Sequence, residues 1–570
     1  LFNGQLAAFA DDSALSHGSV GMRLGKNATL DDFQASPVTQ QPASLPFSDD
    51  FSTTSDGSQL SRFWTDRQGN ITVINGHATG VGPGDANLSS LNGVSQANVV
   101  VAGNVALAAG QDVGLVTRYS GPLASNFYLG QLASAGAGFQ ATIWKNIGGK
   151  YTKLTTGLTI GSGAGTLEFE AVGPSLKVIL NGQLLAFVDD SSLVNGSVGI
   201  RLSEGATLDD FHADSVVQSA AGLPFSDNFS SPSDASQLSH FWTDQRGNVT
   251  VVNGRATGTG TGNINVATLN GVNQVNVAVT GEVALAAGQA GGLVTRYGGP
   301  LESNFYLGQL VGTAGGWEAS IWKNVGGKYT KLSTGLTAAT GAGTLEFEAV
   351  GPSLTLIFNG QLLAFADDTA LNVGSVGMRL SQNATLDNFQ ADAVVPLLAS
   401  PPFSDDFATT SEGSQLSRFW TDQRGNITVV SGKATGIAPG NANLSTLNGL
   451  NKDNVTVKGV VALAAGQRVG LVTRYGGPLE ANFYLGQLAS SGVGFQATIW
   501  KNIGGVYTKL STGLTVESGT GTLEFQTIGS TLTLLLDGNV LATATDTHLA
   551  SGSVGMRLGQ DTAVSSFQAP

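Results

Sequence analysis

The chain has no cysteine, and only 12% of its 570 residues are charged. The first absence excludes disulfide staples and thiolate metal centres, so every core has to stand on packing alone. The second, with 79 glycines and with Ser, Thr and Asn supplying most of the polarity, describes a Gly-rich polar β protein of the extracellular or cell-surface kind rather than a typical cytosolic enzyme. Basic clusters are also missing. The net charge of −14 is spread thinly, which leaves no electrostatic footprint for nucleic acid or an anionic membrane surface. Long apolar runs are absent as well, and none approaches the roughly 20 residues that a transmembrane helix needs, so membrane insertion is not expected.

What the sequence does have is a period. Phe47, Phe225 and Phe403 open near-copies of one segment, and 225 − 47 and 403 − 225 are both 178. The spacing holds through Trp64, Trp242 and Trp420 and through Trp144, Trp322 and Trp500. This period is far longer than the roughly 20 to 50 residues of solenoid and propeller repeats and falls in the size range of a self-sufficient domain. Three units occupy 534 residues and leave 36 at the front. There, 1–38 matches the end of a unit, which predicts the C-terminal strands of an incomplete repeat, followed by β-sandwich repeats over 45–214, 223–392 and 401–570. Without an initiator Met or a signal peptide, the chain reads as a piece of a longer or processed polypeptide.

Within a unit the periodicity is two. Asn98–Leu107, Gly114–Tyr119, Phe127–Leu132 and Phe139–Trp144 read as strands, and turn signals such as Asn75-Gly76, Gly148-Gly149 and Asn181-Gly182 separate them. One helical turn is expected around Ser58–Phe63. About a dozen short strands per unit with no βαβ alternation predict an all-β fold of tandem antiparallel sandwiches. The connectors 36–44, 215–221 and 394–400 carry too much Val, Leu and Pro for a flexible tether. They read as extended strips lying on a neighbouring surface, or as buried parts of a fixed joint.

The order of motifs in each unit carries a resemblance: F-S-D-D-F, L-x-x-F-W-T, G-N-[IV]-T-V, G-L-V-T-R-Y, F-Y-L-G, I-W-K-N, T-L-E-F, and a closing G-S-V-G-[IM]-R-L with L-D-[DN]-F. It is similar to the concanavalin A-like, laminin G-like jelly rolls of secreted bacterial proteins. The resemblance covers each unit end to end, with a diverged last strand in the third. It implies two curved antiparallel sheets with the first and last strands adjacent. Lectins, carbohydrate-binding modules, adhesive repeats and some glycosidases share the fold, so function has to come from a site.

The period serves as an internal alignment for weighing candidate chemistry. Glycoside hydrolysis needs paired carboxylates. Glu168 and Glu170 share one strand face, but the third copy has Glu524 with Gln526, so the pair does not recur. None of the five histidines recurs either; His77, for example, faces Arg255 and Lys433, which argues against a triad or a zinc site. Aspartates carry the one cofactor expectation, Ca²⁺, because adjacent opening and closing strands bring together Asp49, Asp50, Asp209 and Asp210 in the first repeat and Asp227 with Asp387 in the second. The alternative is Asp capping turns through backbone N–H groups. A second acidic pair, Asp189-Asp190 and Asp367-Asp368, follows the hairpin. A polar, aromatic-bearing sheet face is the candidate ligand surface. It comprises Arg118, Tyr128, Gln131 and Trp144, with the copies Arg296, Tyr306, Gln309 and Trp322 and the copies Arg474, Tyr484, Gln487 and Trp500.

These observations favour a non-enzymatic structural or adhesive repeat protein, a segment of a surface fibre, stalk or adhesin. Its expected partners are copies of itself or neighbouring repeats in an assembly, and glycans. A multivalent carbohydrate-binding array stands second and a glycan-active enzyme third.

Overall fold

The computed structural model describes residues 1–570 apart from 3–5, 85, 231–236, 263 and 441. The fold is all-β, built of jelly-roll sandwiches. By contacts the chain divides into two compact units, Leu1–Ser219 with Thr243–Asn248, and Ala220–Trp242 with Val249–Pro570.

In the first unit, one eight-stranded sheet runs in the order Gln183–Asp189, Ser175–Leu180, Ala164–Val172, Val99–Ala106, Thr207–Ser215, His77–Gly80, Ile71–Ile74, and Phe47–Asp49 also pairs with Thr207–Ser215. The opposing seven-stranded sheet runs Lys150–Ile160, Gly138–Ile147, Asn126–Ala135, Asp112–Ser120, Ser197–Leu202, Asn87–Leu91, Trp64–Gln68. Opening and closing strands are neighbours, with Phe47 opposite Ala213. Alternation builds these strands: Val99, Val101, Gly103 and Val105 are buried and the residues between them are not. Both sheet orders recur twice further along the chain, through Phe225–Asp227 to Thr385–Ala393 and through Phe403–Asp405 to Ala563–Ala569.

The sandwich core closes on aromatic contacts. Trp64 meets the Phe211 ring edge-on at 4.8 Å and donates its indole N–H to Asp49 Oδ2 at 2.9 Å. In the F-Y-L-G strand the glycine is required by the facing sheet: a Cβ on Gly130 would lie 2.4 Å from the Phe169 ring. Asn181 and Gly182, at φ 50° and 80°, make the two-residue turn joining Ser175–Leu180 to Gln183–Asp189. Ala164–Val172 and Ser175–Leu180 are joined by a tight turn at Gly173-Pro174.

Two expectations are corrected. Ser58–Phe63 is a turn-and-bridge segment, with Gln59 bridging to Thr72, so no helical turn forms there. The described residues of 1–38 form no strand and are almost all exposed. Ser19–Leu24 matches Ser197–Leu202, which is held between Asn87–Leu91 and Asp112–Ser120.

The connectors lie as extended strips on the sandwich that follows each of them. Ala43 N–H bonds Asn92 O at 2.7 Å, Ala221 N–H bonds Asn270 O at 2.7 Å, and Ala399 N–H bonds Asn448 O at 2.8 Å. Val38, Val217, Val395 and Leu398 remain exposed, so the backbone and the small residues do the docking. A second tie recurs at the same spacing. Asp11, Asp189 and Asp367 accept the backbone N–H of Gly69, Gly247 and Gly425 at 2.7, 2.7 and 2.8 Å.

Candidate functional site

The structure divides the expected ligand surface between the two sides of the seven-stranded sheet. Tyr128 is fully buried and faces the sandwich core. Its hydroxyl donates to Asp190 and accepts the N–H of Leu193 at 2.9 Å, while Lys145 Nζ holds the same carboxylate at 2.6 Å. Burial pushes Asp190 up, but the bonds from Lys145 and Tyr128 outweigh it and leave the carboxyl below its ordinary range. Arg118 is 2% exposed and sits at φ 52°, inside a bulge where the register shifts between Thr117 and Ser120. Its guanidinium donates to Ala97 O, Leu193 O and Gly173 O at 2.9, 2.9 and 2.6 Å, and lies 5.8 Å from the centre of the Tyr128 ring. Arg296 with Tyr306 and Arg474 with Tyr484 repeat the arrangement, with guanidinium bonds to Leu371 O at 3.0 Å and Leu549 O at 2.7 Å. These six residues are buried and hold loops at the end of each sandwich, so the structure does not bring them onto one exposed face with Gln131, Trp144 and their copies, as the sequence led one to expect.

Gln131 and Trp144 point the other way, to the outer face, where they remain partly exposed. Trp144 donates its indole N–H to Thr142 Oγ1 at 2.9 Å, and the Thr142 hydroxyl donates to Gln131 Oε1 at 3.3 Å. Lys153 Nζ lies 4.8 Å from the Trp144 ring centre. Beneath this layer Leu88, Val116, Phe127 and Leu129 form a small apolar cluster of their own, so the strand Asp112–Ser120 is buried on both faces. The constellation recurs. Trp322 donates to Ser320 at 3.0 Å beside Gln309, with Lys331 at 5.0 Å, and Trp500 donates to Thr498 at 2.9 Å beside Gln487, with Lys509 at 5.1 Å. Tyr329 and Tyr507 extend the aromatic face 6.5 Å from those indoles, under Arg379 and Arg557. In the first unit Tyr151 borders a cleft of about 540 Å³ that Arg67 and Gln68 also line. Sequence reading missed the lysine and the arginine. Both were visible in the period, as Lys153, Lys331 and Lys509 in Y-T-K and as Arg201, Arg379 and Arg557 in the closing motif.

The aspartates turn and brace the chain. Asp49 accepts Phe51 N–H at 2.9 Å as well as the Trp64 indole, and Asp50 accepts Ser52 N–H at 3.0 Å. Asp209 accepts Asp210 N–H at 2.8 Å and faces His77, and Asp210 accepts Asn104 Nδ2 at 2.7 Å. Asp227 repeats Asp49 on Phe229 and Trp242, and Asp387 accepts Asn388 N–H at 2.7 Å. The strands are adjacent as expected, yet their carboxylates point to different donors. The described residues contain no group of three or more Asp, Glu or His placed to share an ion. The set does not fit Ca²⁺, because each carboxylate is already committed to an N–H donor.

Glu168 and Glu170 lie on the outer face of the eight-stranded sheet, and burial together with the neighbouring Glu170 charge raises Glu168 above its ordinary value. Glu524, the third copy, is paired with Lys458 at 3.1 Å.

No protein-family model matches the chain, and no curated protein matches it. Solved structures do. A carbohydrate-binding module of family 66 from Bacillus subtilis is 17% identical, over 28% of this chain and 99% of its own, with a TM-score of 0.25. The GH43 protein BlXynB from Bacillus licheniformis is 11% identical over 82% of this chain and 98% of its own, with a TM-score of 0.24. A xylan β-1,4-xylosidase from Bacillus halodurans C-125 is 12% identical over 89% and 98%, also with a TM-score of 0.24. BlXynB and the xylosidase both match over most of the chain. The expectation of a non-enzymatic surface fibre, stalk or adhesin is at odds with these matches and is not carried forward, and they assign no residue of this chain a catalytic role.

Proposed function

We propose that the chain engages glycans through the outer faces of its three seven-stranded sheets, in an extracellular setting that its charge-poor, Gly-rich composition supports. The observation that carries the reading is the outer-face constellation present in all three copies: a partly exposed indole fixed by a hydroxyl, with a carboxamide and an ammonium beside it. A pyranose has an apolar face that stacks on such a ring and hydroxyls that the neighbouring amide and cation read. Tethering of the indole N–H sets the ring orientation before a ligand arrives, which lowers the ordering cost of binding. Three linked weak sites gain avidity on a polymer without any new contact.

Affinity electrophoresis in gels holding soluble plant and bacterial polysaccharides, xylan among them, tests this reading. The wild type is expected to be retarded by at least one polymer, and a folded Trp144→Ala, Trp322→Ala, Trp500→Ala variant to run free. No retardation by any polymer, or equal retardation of the triple variant, would remove the reading.

A further inference from the structure

A second site lies on the opposite face of the middle sandwich. In the second unit a cavity of about 190 Å³ lies where Glu348, Ser353 and Thr355 of the middle sandwich meet Trp420, Thr421 and Asp422 of the third. Asp422 is 9% exposed and Ser445 is fully buried. Asp422 Oδ2 accepts Ile427 N–H at 3.2 Å and the Ser445 hydroxyl also favours the carboxylate, but Asp422 Oδ1, which lines the cavity, has no donor within hydrogen-bond distance. An orphaned buried carboxylate oxygen is costly and calls for a donor.

The preceding copy shows which donor fits. Residues 178 positions earlier than Thr355 and Asp422 are Lys177 and Asp244, whose Nζ and Oδ2 are 3.0 Å apart with both side chains about 5% exposed. Threonine at position 355 removes that ammonium and its four-carbon stem while the aspartate stays. The cation is not restored by a neighbour. Arg418 lines the cavity but acts on Glu348, and the other charged group acting on Asp422 is the like-charged Asp367. The walls suit an alkyl chain as well as a charge, since Val350, Leu416 and Trp420 line the space beside the polar groups.

We propose that this cavity is a binding site for a small primary alkylammonium, of about the length of a lysine side chain, held by Asp422 with Ser445 and Thr355. The ammonium takes the place that Lys177 fills in the preceding copy, and the alkyl chain lies along Val350 and Leu416. A divalent metal suits the place less well, because the described residues hold no group of three ligating side chains. Burial raises the Asp422 carboxyl to about 8, against the Ile427 N–H and the Ser445 hydroxyl, and raises Glu348 to about 7, where Arg418 opposes it. An ammonium entering at pH 7 therefore displaces the Asp422 proton, and affinity climbs with pH up to about 8.

The test titrates the whole chain with n-butylammonium chloride at pH 8, reading heat of binding and thermal midpoint, with sodium chloride and tetramethylammonium chloride at equal ionic strength as controls. Saturable, one-site binding by the primary ammonium alone is expected. Thr355→Lys is expected to raise the midpoint and abolish binding, and Asp422→Asn to weaken binding at least tenfold. Stabilisation matched by the control salts, or binding unchanged in Asp422→Asn, would overturn the proposal whatever Thr355→Lys does.

Discussion

The middle sandwich presents two outer faces with opposite fates. On the seven-stranded sheet, Trp322, Gln309 and Lys331 form a polar aromatic layer over a small apolar cluster of Val294, Phe305 and Leu307. On the eight-stranded sheet, Glu348, Ser353 and Thr355 are covered by Thr421 and Asp422. Both faces come from strands with the same two-residue alternation, and both carry polar residues. The difference teaches that polarity in an alternating strand marks the outward side without saying whether water, a ligand or the next sandwich lies there. Here one face serves the chain's own joint, and the other is the one proposed for recognition.

Separating these roles by mutation orders the expected effects. The largest belongs to neither face. Arg296→Ala strips three carbonyls of their donor and removes a buried side chain, and a loss of about 4 kcal/mol in urea unfolding is expected. Arg296→Lys should recover little of it, because an ammonium cannot reproduce the planar fork. Next is Asp422→Asn on the joint face, a gain rather than a loss. The folded carboxyl titrates near 8 against an ordinary value of 3.8, so the wild type pays a penalty that is absent below pH 4 and grows as pH rises to 8. With each pKa unit worth about 1.4 kcal/mol and relaxation absorbing about half, the variant should be more stable by roughly 3 kcal/mol at pH 8 and indistinguishable at pH 3. A gain independent of pH would break the assignment of Asp422 as a buried, unpaired acid.

Much of the fold was legible because the period multiplies every signal by three. Strands around Val101, Leu115, Leu129 and Ile143 follow from alternation, and the Asn181-Gly182 turn from its dipeptide. The candidate face was legible only in part. Arg118 and Tyr128 share recurrence and chemistry with Gln131 and Trp144, but Tyr128 and Gln131 differ in strand parity and so point to opposite sides of one sheet. Parity was there to be read. Arg118 defeats parity, because the bulge at positions 117–120 turns it out of the alternation toward three carbonyls. The role of Asp422 was not legible, since its surroundings come from a segment some 70 residues earlier and only the copy with Lys177 reveals what is missing.

Smaller effects sharpen the contrast of the two faces. Replacing Trp322 alone should lower polysaccharide affinity about tenfold, near the upper end of about 1.5 kcal/mol for an aromatic contact, and leave the joint's unfolding transition unmoved. Asp367→Ala removes the bond to Gly425 N–H at the joint and should cost about 1 kcal/mol, with no change in polysaccharide affinity. If Asp367→Ala weakened binding as much as Trp322→Ala, the two faces would not be separate in function.

Affinity electrophoresis of the wild type beside the triple Trp144→Ala, Trp322→Ala, Trp500→Ala variant and the joint variant Asp367→Ala is the most direct measurement. The expected pattern is retardation of the wild type and of Asp367→Ala by the same polysaccharide, with free migration of the triple variant at unchanged β-sheet circular dichroism. Retardation of a folded triple variant equal to that of the wild type would contradict the assignment of the seven-stranded outer face as the glycan surface.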